Sequence, residues 1–193
     1  NSIAEDRTSI GLGSSVLDAW EKFEELHDET YNHCKRVGNY LMGLPSDVAL
    51  SPEERTFLHV AGSLHDVGKV ADILLIENRL TPSEAELVKH EQHAEVGAWL
   101  LQGMNFPSPI VEMVGNHHKK GQYWEHGLDK STQLLMVADR YDAIQAARMY
   151  KPETSHEQAW VKLKGSFGVI FDPSLEESFR KTVSRHFNTN ADR

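Results

Sequence analysis

Residues that cap helices stand directly before proline at four places in the chain. Proline favours the first helical position because its missing N–H would have no partner there. The side-chain oxygen before it can accept hydrogen bonds from free amides of the first turn. The four pairs are Ser51-Pro52, Thr81-Pro82, Ser108-Pro109 and Asp172-Pro173, with capping boxes completed by Glu54 and Glu84. They predict four helix starts and a predominantly helical fold.

Apolar residues repeat at three- and four-residue intervals, and no segment alternates polar and apolar residues as a half-buried strand would. We therefore predict an all-α fold. The length suits a single domain over residues 1–193, with a lead-in at 1–14 and a frayed tail at 188–193. The predicted helices are Val16–Leu44, Pro52–Asp66, Pro82–Leu101, Pro109–His118, Gln133–Met149, His156–Leu163 and Pro173–His186.

Composition limits the classes of binding partner and the cellular compartment that we expect. The net charge of −9 argues against a general binder of duplex DNA or anionic membranes, since these usually present a basic face. A phosphorylated substrate stays open, because bound metal ions would reverse the local charge. The single cysteine, Cys34, rules out an internal disulfide and fits a reducing, cytoplasmic location. No stretch is long or apolar enough to span a membrane, and no secretory leader is seen.

The first predicted helix carries a carboxylate and an imidazole on one face. Glu29 and His33 are four residues apart, beside an apolar line that points them inward. Burying both is costly unless something pairs with them, and a metal ion would satisfy both. A surface Glu–His ion pair is the alternative for this pair taken alone.

His65 and Asp66 are adjacent at the end of the second predicted helix. Neighbours on a helix point in different directions, so the two would serve different metals or bridge them, and a carboxylate has two oxygens for bridging. Gly68 then breaks the helix. Lys69 follows within reach of the same site, where it could hold a non-bridging phosphate oxygen. A His-Asp pair alone is weak evidence.

Three later segments add similar side chains. His93 lies inside the third predicted helix, with His90 as a competitor for its role. The pair His117-His118 is more specific, because two buried imidazoles need two partners. Asp139 stands in a largely apolar helix and shares its face with Asp142. Imidazoles and carboxylates in this order predict a site for two or more divalent metals, of the kind that hydrolyses phosphate esters.

These residues resemble the HD phosphohydrolase superfamily and, within it, the HD-GYP family of cyclic di-GMP phosphodiesterases. The resemblance covers roughly residues 29–179, and a general HD domain lacks most of its second half. The matching motifs are His65-Asp66-Val67-Gly68-Lys69, Leu80-Thr81, His93-x-x-x-Gly97, His117-His118, Val137-Ala138-Asp139-x-Tyr141-Asp142-Ala143, Arg148-Met149-Tyr150 and Phe171-Asp172-Pro173-x-Leu175.

The resemblance implies an HD-domain bundle of about seven helices around two or three divalent metal ions, usually iron or manganese. It implies catalytic roles for Asp66, as the bridging ligand, and for Lys69, which would bind phosphate. Lys69, Asp142, Arg148 and Lys151 are the implied substrate contacts. The implied metal ligands are Glu29, His33, His65, Asp66, His93, His117, His118 and Asp139, with Glu29 and His33 matching the extra ligands of trinuclear members.

The implied activity is hydrolysis of a cyclic dinucleotide, cyclic di-GMP above all, to linear dinucleotide or GMP by hydroxide held between metals. The chain starts at Asn1 rather than Met, which suggests a piece excised from a longer protein with a regulatory N-terminal domain or a signalling partner.

Two departures from the family pattern keep alternatives open. Lys119 replaces the usual glutamate after the paired histidines, and residues 121–128, GQYWEHGL, contain no Gly-Tyr-Pro. Tyr123 or Trp124 would have to replace the missing tyrosine as a base-stacking surface. The alternatives are a cyclic-dinucleotide sensor or partner-docking module with little turnover, and an HD phosphohydrolase acting on another nucleotide.

Overall fold

The computed structural model describes residues 18–20, 22, 24–25, 27–71, 74, 92–119, 127–146 and 154–190. Over these residues the fold is helical, and the β-pairing among them is one isolated bridge between Phe167 and Phe171. The all-α prediction is confirmed. The helices are α1 (Asp28–Met42), α2 (Pro52–Leu64), α3 (His93–Gly103), α4 (Ser108–Asn116), α5 (Lys130–Gln145), α6 (His156–Lys164) and α7 (Glu176–Asn190), with short 3-10 helices at Val67–Val70 and Pro173–Leu175.

Helix α5 is the central element, because its residues 132–138 are all buried. A helix that is buried on every side lies inside a core rather than on a surface. Helices α1, α2, α4 and α6 pack around it, while α3 packs on α4 and on the 3-10 helix at Val67–Val70. Three aromatic rings join α1, α5 and α7: Tyr40 meets Tyr141 edge-on at 5.4 Å between centroids, and Tyr141 meets Phe179 at 5.7 Å. None of the described helices is long and apolar enough to cross a bilayer.

Two of the predicted proline-linked caps are confirmed. The Ser51 hydroxyl accepts from the Glu54 amide at 3.2 Å, and the Glu54 carboxylate accepts from the Ser51 amide at 2.7 Å, so the capping box before α2 is complete. Asp172 accepts from the Ser174 amide at 2.8 Å. The Ser108 cap is wrong: Pro107 precedes α4, and Ser108 is its first helical residue. Thr81-Pro82 lies outside the described residues.

The predicted first helix, Val16–Leu44, is wrong as one continuous element. His27 has φ −135° and ψ 47°, outside the helical region, and its carbonyl accepts from the amides of Thr30 and Tyr31. A new helix, α1, therefore begins at Asp28. Its first turn carries Asp28 and Glu29, whose negative charges stabilise a helix N-terminus.

The predicted third helix, Pro82–Leu101, is also interrupted. Gln92 is extended, with φ −77° and ψ 158°, so α3 begins at His93. It ends at Gly103, two residues after the predicted end at Leu101. The predicted helix Gln133–Met149 begins earlier, at Lys130, where Asp129 caps the Thr132 amide at 2.9 Å. It ends at Gln145, because Ala146 is extended with φ −56° and ψ 136°.

The 3-10 helix at Val67–Val70 lies against α3 almost backbone to backbone. A Cβ added to Gly68 would overlap the carbonyl oxygen of His93 and lie 2.6 Å from the Gly97 amide nitrogen. Only glycine allows so close an approach. The contact brings the segment after α2 directly against the first turn of α3.

Candidate metal centre

Most of the predicted ligand side chains come from the ends of helices. His65 follows the last residue of α2, and Asp66 precedes the 3-10 helix. His93 is the first residue of α3, while His117 and His118 follow the end of α4. Three breaks in the helical chain thus bring these five side chains into one region.

One cluster, called here the α4 group, consists of Asp66, His93, His117 and His118. One ligand atom from each lies within 4.8 Å of the others. His93 Nε2 is 3.1 Å from Asp66 Oδ1, and the His117 and His118 rings are 4.0 Å apart between centroids. Three imidazoles and a carboxylate are a donor set suited to iron, manganese or zinc.

A second cluster, the α1 group, consists of His33, His65 and Asp66, again with ligand atoms within 4.8 Å. Asp139, on α5, faces it: its Oδ1 is 3.1 Å from His33 Nε2 and 3.9 Å from His65 Nε2. Asp66 belongs to both groups. Its Oδ1 faces His93, while its Oδ2 is 3.6 Å from His65 Nε2. This is the geometry of a carboxylate able to bridge two metal positions.

Hydrogen bonds from the far side of two rings test whether the groups fit a metal. Nδ1 of His65 lies 2.9 Å from the Gly62 carbonyl, and Nδ1 of His117 lies 2.6 Å from the Val114 carbonyl. A carbonyl only accepts, so each Nδ1 carries a proton, and Nε2 is the ring nitrogen left to bind a metal. This orientation is typical of metal-binding histidines.

Two buried nitrogen atoms support the same fit. His117 Nε2 and His93 Nε2 are buried without a hydrogen-bond partner in the described part of the chain. The His93 atom is close to Asp66 Oδ1, but the geometry is not that of a hydrogen bond. Buried polar atoms are rarely left unpaired. Side chains that face a common point rather than each other are what a bound cation requires.

The electrostatics follow from burial and crowding. Burial would raise the pKa of Asp66, but His93, His65 and Lys69 hold it well below its ordinary range. Burial likewise opposes the ionisation of Asp139, yet His33 and the neighbouring imidazoles lower its pKa to about 2. Burial and then the charge of His65 lower the pKa of His117 to about 3. Ionised carboxylates beside a neutral imidazole are the protonation states that bind metals.

A cleft of about 460 Å³ opens over both groups. Lys69 stands on its wall with its side chain 39% exposed, and its Nζ lies 2.6 Å from Asp66 Oδ2. The small residues Ala143 and Ala146 also line it. The volume is in the range of small-ligand sites. The cleft therefore gives an anionic ligand access to the metal positions beside the partly exposed ammonium of Lys69.

Asp142 does not line this cleft; it lies behind His33, with its side chain 1% exposed. Its Oδ2 is 2.7 Å from His33 Nδ1, and its carboxylate binds the Arg36 guanidinium at 2.8 and 2.9 Å. Its carboxylate thus contacts two residues of α1, and the contact of Asp142 with substrate stays a prediction. The sequence does not mark Arg36 as functional, although its position one turn after His33 places both on one face of α1.

Glu29 lines the cleft but belongs to neither group. Its carboxylate is 64% exposed and lies 3.0 Å from Arg36 Nη2. The ligand of a third metal thus stays a prediction. Several other predicted residues lie outside the described part of the chain: Arg148, Lys151, His90, Tyr123 and Trp124.

Comparison with known proteins identifies similar sequences. The HD domain family model matches residues 30–144. A cyclic di-GMP phosphodiesterase of Thermotoga maritima is 32% identical over 181 residues, covering 86% of this chain and 48% of that protein. A 3'3'-cGAMP-specific phosphodiesterase of Vibrio cholerae is 27% identical over 154 residues, covering 75% of this chain and 34% of that protein. The chain thus spans a third to a half of these relatives.

The fold also matches a solved structure, the HD domain of the L. monocytogenes phosphodiesterase PgpH in complex with cyclic-di-AMP. The TM-score is 0.62 at 17% identity, over 91% of this chain and 98% of that one. At this identity the likeness concerns the fold. The family model and the sequence relatives show that the chain belongs to the HD domain family, and they confirm the resemblance to its HD-GYP cyclic di-GMP phosphodiesterases.

Proposed function

We propose that this chain is a metal-dependent phosphodiesterase domain that hydrolyses a cyclic dinucleotide, with cyclic di-GMP as the first candidate. The observation that carries the proposal is the position of Asp66, whose two oxygens face two separate clusters of imidazoles at the floor of an open cleft. Two cations bridged by one carboxylate are a common arrangement for cleaving phosphate esters.

Each group would hold one divalent ion. His93, His117 and His118 would bind the first, and His33 and His65, with Asp139 beside them, the second. Such ions supply an activated water and neutralise negative charge on the phosphoryl oxygens. The mixed imidazole and carboxylate donors suit iron or manganese, the two metals we propose. Asp66 would set the spacing of the two positions.

Lys69 has the clearest role toward the substrate. Its ammonium is beside Asp66 yet exposed to the cleft, so it can reach a non-bridging phosphate oxygen without leaving the site. The charge would attract an anionic ligand to a chain whose net charge is −9. It would also stabilise the charge that grows on the phosphoryl group during hydrolysis. The proposed substrate contacts Arg148 and Lys151 would add positioning.

The direct test is a hydrolysis assay under anaerobic conditions with iron(II) or manganese(II). We expect cyclic di-GMP to give a linear product, and a Lys69→Gln variant to bind the same metal but turn over about 100-fold more slowly. Arg180→Gln is the matched control, since Arg180 is an exposed cation on α7 whose ion pair is with Glu177. Absence of linear product with both metals, from protein shown to contain them, would refute the proposal.

A sensor or partner-docking role is the second candidate. It is favoured by residues 121–128, which lack Gly-Tyr-Pro, and by Lys119 in place of glutamate. Calorimetry with metal-replete protein separates the two: tight binding of cyclic di-GMP without turnover supports the sensor. The hydrolysis assay should include 3'3'-cGAMP and cyclic di-AMP, because one relative is a 3'3'-cGAMP-specific phosphodiesterase and the structural neighbour was solved with cyclic-di-AMP. Faster turnover of one of them would identify another substrate.

A further inference from the structure

An ion pair behind the metal centre joins α1 to α5. The Arg36 guanidinium meets the Asp142 carboxylate with two parallel contacts, Nε to Oδ1 at 2.8 Å and Nη2 to Oδ2 at 2.9 Å. The Asp142 side chain is 1% exposed and that of Arg36 is 33% exposed. A forked contact of this kind fixes the orientation of the carboxylate as well as its charge.

The fixed carboxylate orients His33. Asp142 Oδ2 lies 2.7 Å from His33 Nδ1, and since an ionised carboxylate only accepts, Nδ1 carries the proton. The opposite nitrogen, Nε2, then points to Asp139 Oδ1 at 3.1 Å, inside the α1 group. The order of contacts is therefore Arg36, Asp142, His33 and the metal position.

The α4 group is supported differently. His117 is oriented by the main-chain carbonyl of Val114, and its pairing involves no side chain of α1 or α5. His93 begins α3, which rests on Gly68. The Arg36–Asp142 pair thus reaches one of the two groups through His33 and has no described contact with the other.

We propose that Arg36 and Asp142 are positioning residues for the metal position of the α1 group and leave the α4 group unaffected. This inference rests on the proposed two-metal centre. It gives Asp142 a role behind a ligand in place of a contact with substrate. It also assigns a role to Arg36, which neither touches the substrate cleft nor supplies a metal ligand.

A purely structural ion pair is the alternative. Buried pairs often contribute little net stability, while breaking one leaves an unpaired charge. A structural pair would affect folding and both metal positions together. A positioning pair would weaken one position selectively, so metal affinity resolved by site separates the two roles without reference to turnover.

The experiment compares Arg36→Lys and Asp142→Asn, which keep much of the shape of each side chain, with the wild type. Manganese(II) stoichiometry and affinities are measured by calorimetry and elemental analysis, and metal-free melting temperatures are recorded alongside. We expect one of two ions to bind about 10- to 100-fold more weakly in each variant, the range typical for residues that orient a ligand, and the other to bind as in the wild type.

Arg55→Lys is the matched control. Its guanidinium is also partly buried and binds three main-chain carbonyls, those of Leu44, Pro45 and Val48, at 3.1, 2.8 and 2.8 Å. It lies outside both metal groups. We expect its loss to lower the melting temperature while both metal affinities stay at the wild-type value.

A second comparison uses His33→Ala as the background. If Arg36 acts through His33, adding Arg36→Lys to His33→Ala should change metal binding no further, because acting through one residue makes the effects non-additive. Equal weakening of both ions, or wild-type affinity for both in Arg36→Lys and Asp142→Asn, would overturn the inference and leave the proposed function standing. Failure of the wild type to bind two ions would overturn both.

Discussion

The two halves of the metal centre differ in what orients His117 and His33, although His65 of the α1 group is held by a main-chain carbonyl, as His117 is. In the α4 group, His117 is oriented by a main-chain carbonyl at the end of a helix. In the α1 group, His33 sits within a helix and is oriented by the side chain of Asp142, which Arg36 holds in turn. Support from the main chain comes with the fold, whereas support from side chains can be changed one residue at a time. The α1 group should therefore be the more easily altered half.

The largest effect should come from changing Asp66, the residue that the two groups share. Asp66→Asn keeps the size of the side chain but removes the charge that faces both groups. We expect loss of both ions and a fall in turnover on the order of 10³-fold, as when a main charge-stabilising element is lost. Elemental analysis and the hydrolysis assay measure this. Retention of one ion at full affinity would show that the halves are independent.

The next largest effect should come from disturbing the main-chain contact between Gly68 and α3. In Gly68→Ala the new Cβ would overlap the His93 carbonyl and the Gly97 amide, so α3 has to move. We expect a loss of about 3 kcal/mol in the free energy of unfolding, at the upper end for overpacking. Denaturant unfolding of the metal-free protein measures it. Gly165→Ala is the control, because nothing lies within 4 Å of its added Cβ and its backbone is helical. Equal stability of both variants would disprove the close contact.

His117→Ala should weaken metal binding in the α4 group, whereas Arg36→Lys should weaken it in the α1 group. It removes a ligand of the α4 group and touches neither Asp142 nor His33. We expect one ion to bind about 100-fold more weakly, with the other retained, at the upper end for changes around a metal ligand. A metal-binding titration would measure the weakened affinity, and anomalous diffraction would locate the surviving ion beside His33. Loss of the ion beside His33 instead would reverse the assignment of the two groups.

The smallest effect concerns pH and lies outside both groups. Burial lowers the pKa of His156, whose Nδ1 is 2.6 Å from Tyr141 Oη. The unfolded chain, with its ordinary value of 6.5, takes up the proton first as pH falls. The stabilising contribution is therefore complete above pH 6.5 and decreases below it. Melting temperatures at pH 7.5 and 5.5 should differ slightly more for the wild type than for His156→Gln; an equal difference would contradict this.

The side chains that meet at the candidate centre are predictable from the sequence because their chemistry is unusual for a helical core. Asp139 lies within the apolar run of α5, and His117 is buried next to His118, so both places call for a polar or charged partner. The Ser51 capping box is predictable for a different reason, since all its hydrogen bonds are local. Short-range patterns of this kind survive folding largely unchanged.

Sequence-based prediction fails for features that depend on contacts between residues far apart in the chain. The breaks at His27 and Gln92 interrupt runs whose apolar spacing looks continuous, and the second break adjoins the contact between Gly68 and His93, which are far apart in sequence. Arg36 and Asp142 are 106 residues apart, so neither residue reveals its partner in the chain. Charged residues on a helix are usually solvated, and only the packing of α1 on α5 makes these two a pair.

The glycine contact between Gly68 and the first turn of α3 has a consequence for dynamics. Side chains between packed helices can change rotamer and let the helices shift, but here main chain meets main chain. The segment after Asp66 and the turn that begins at His93 should therefore fluctuate as one body. Amide hydrogen exchange should report a single opening event for residues 67–70 and the first turn of α3, separate from the opening of α1.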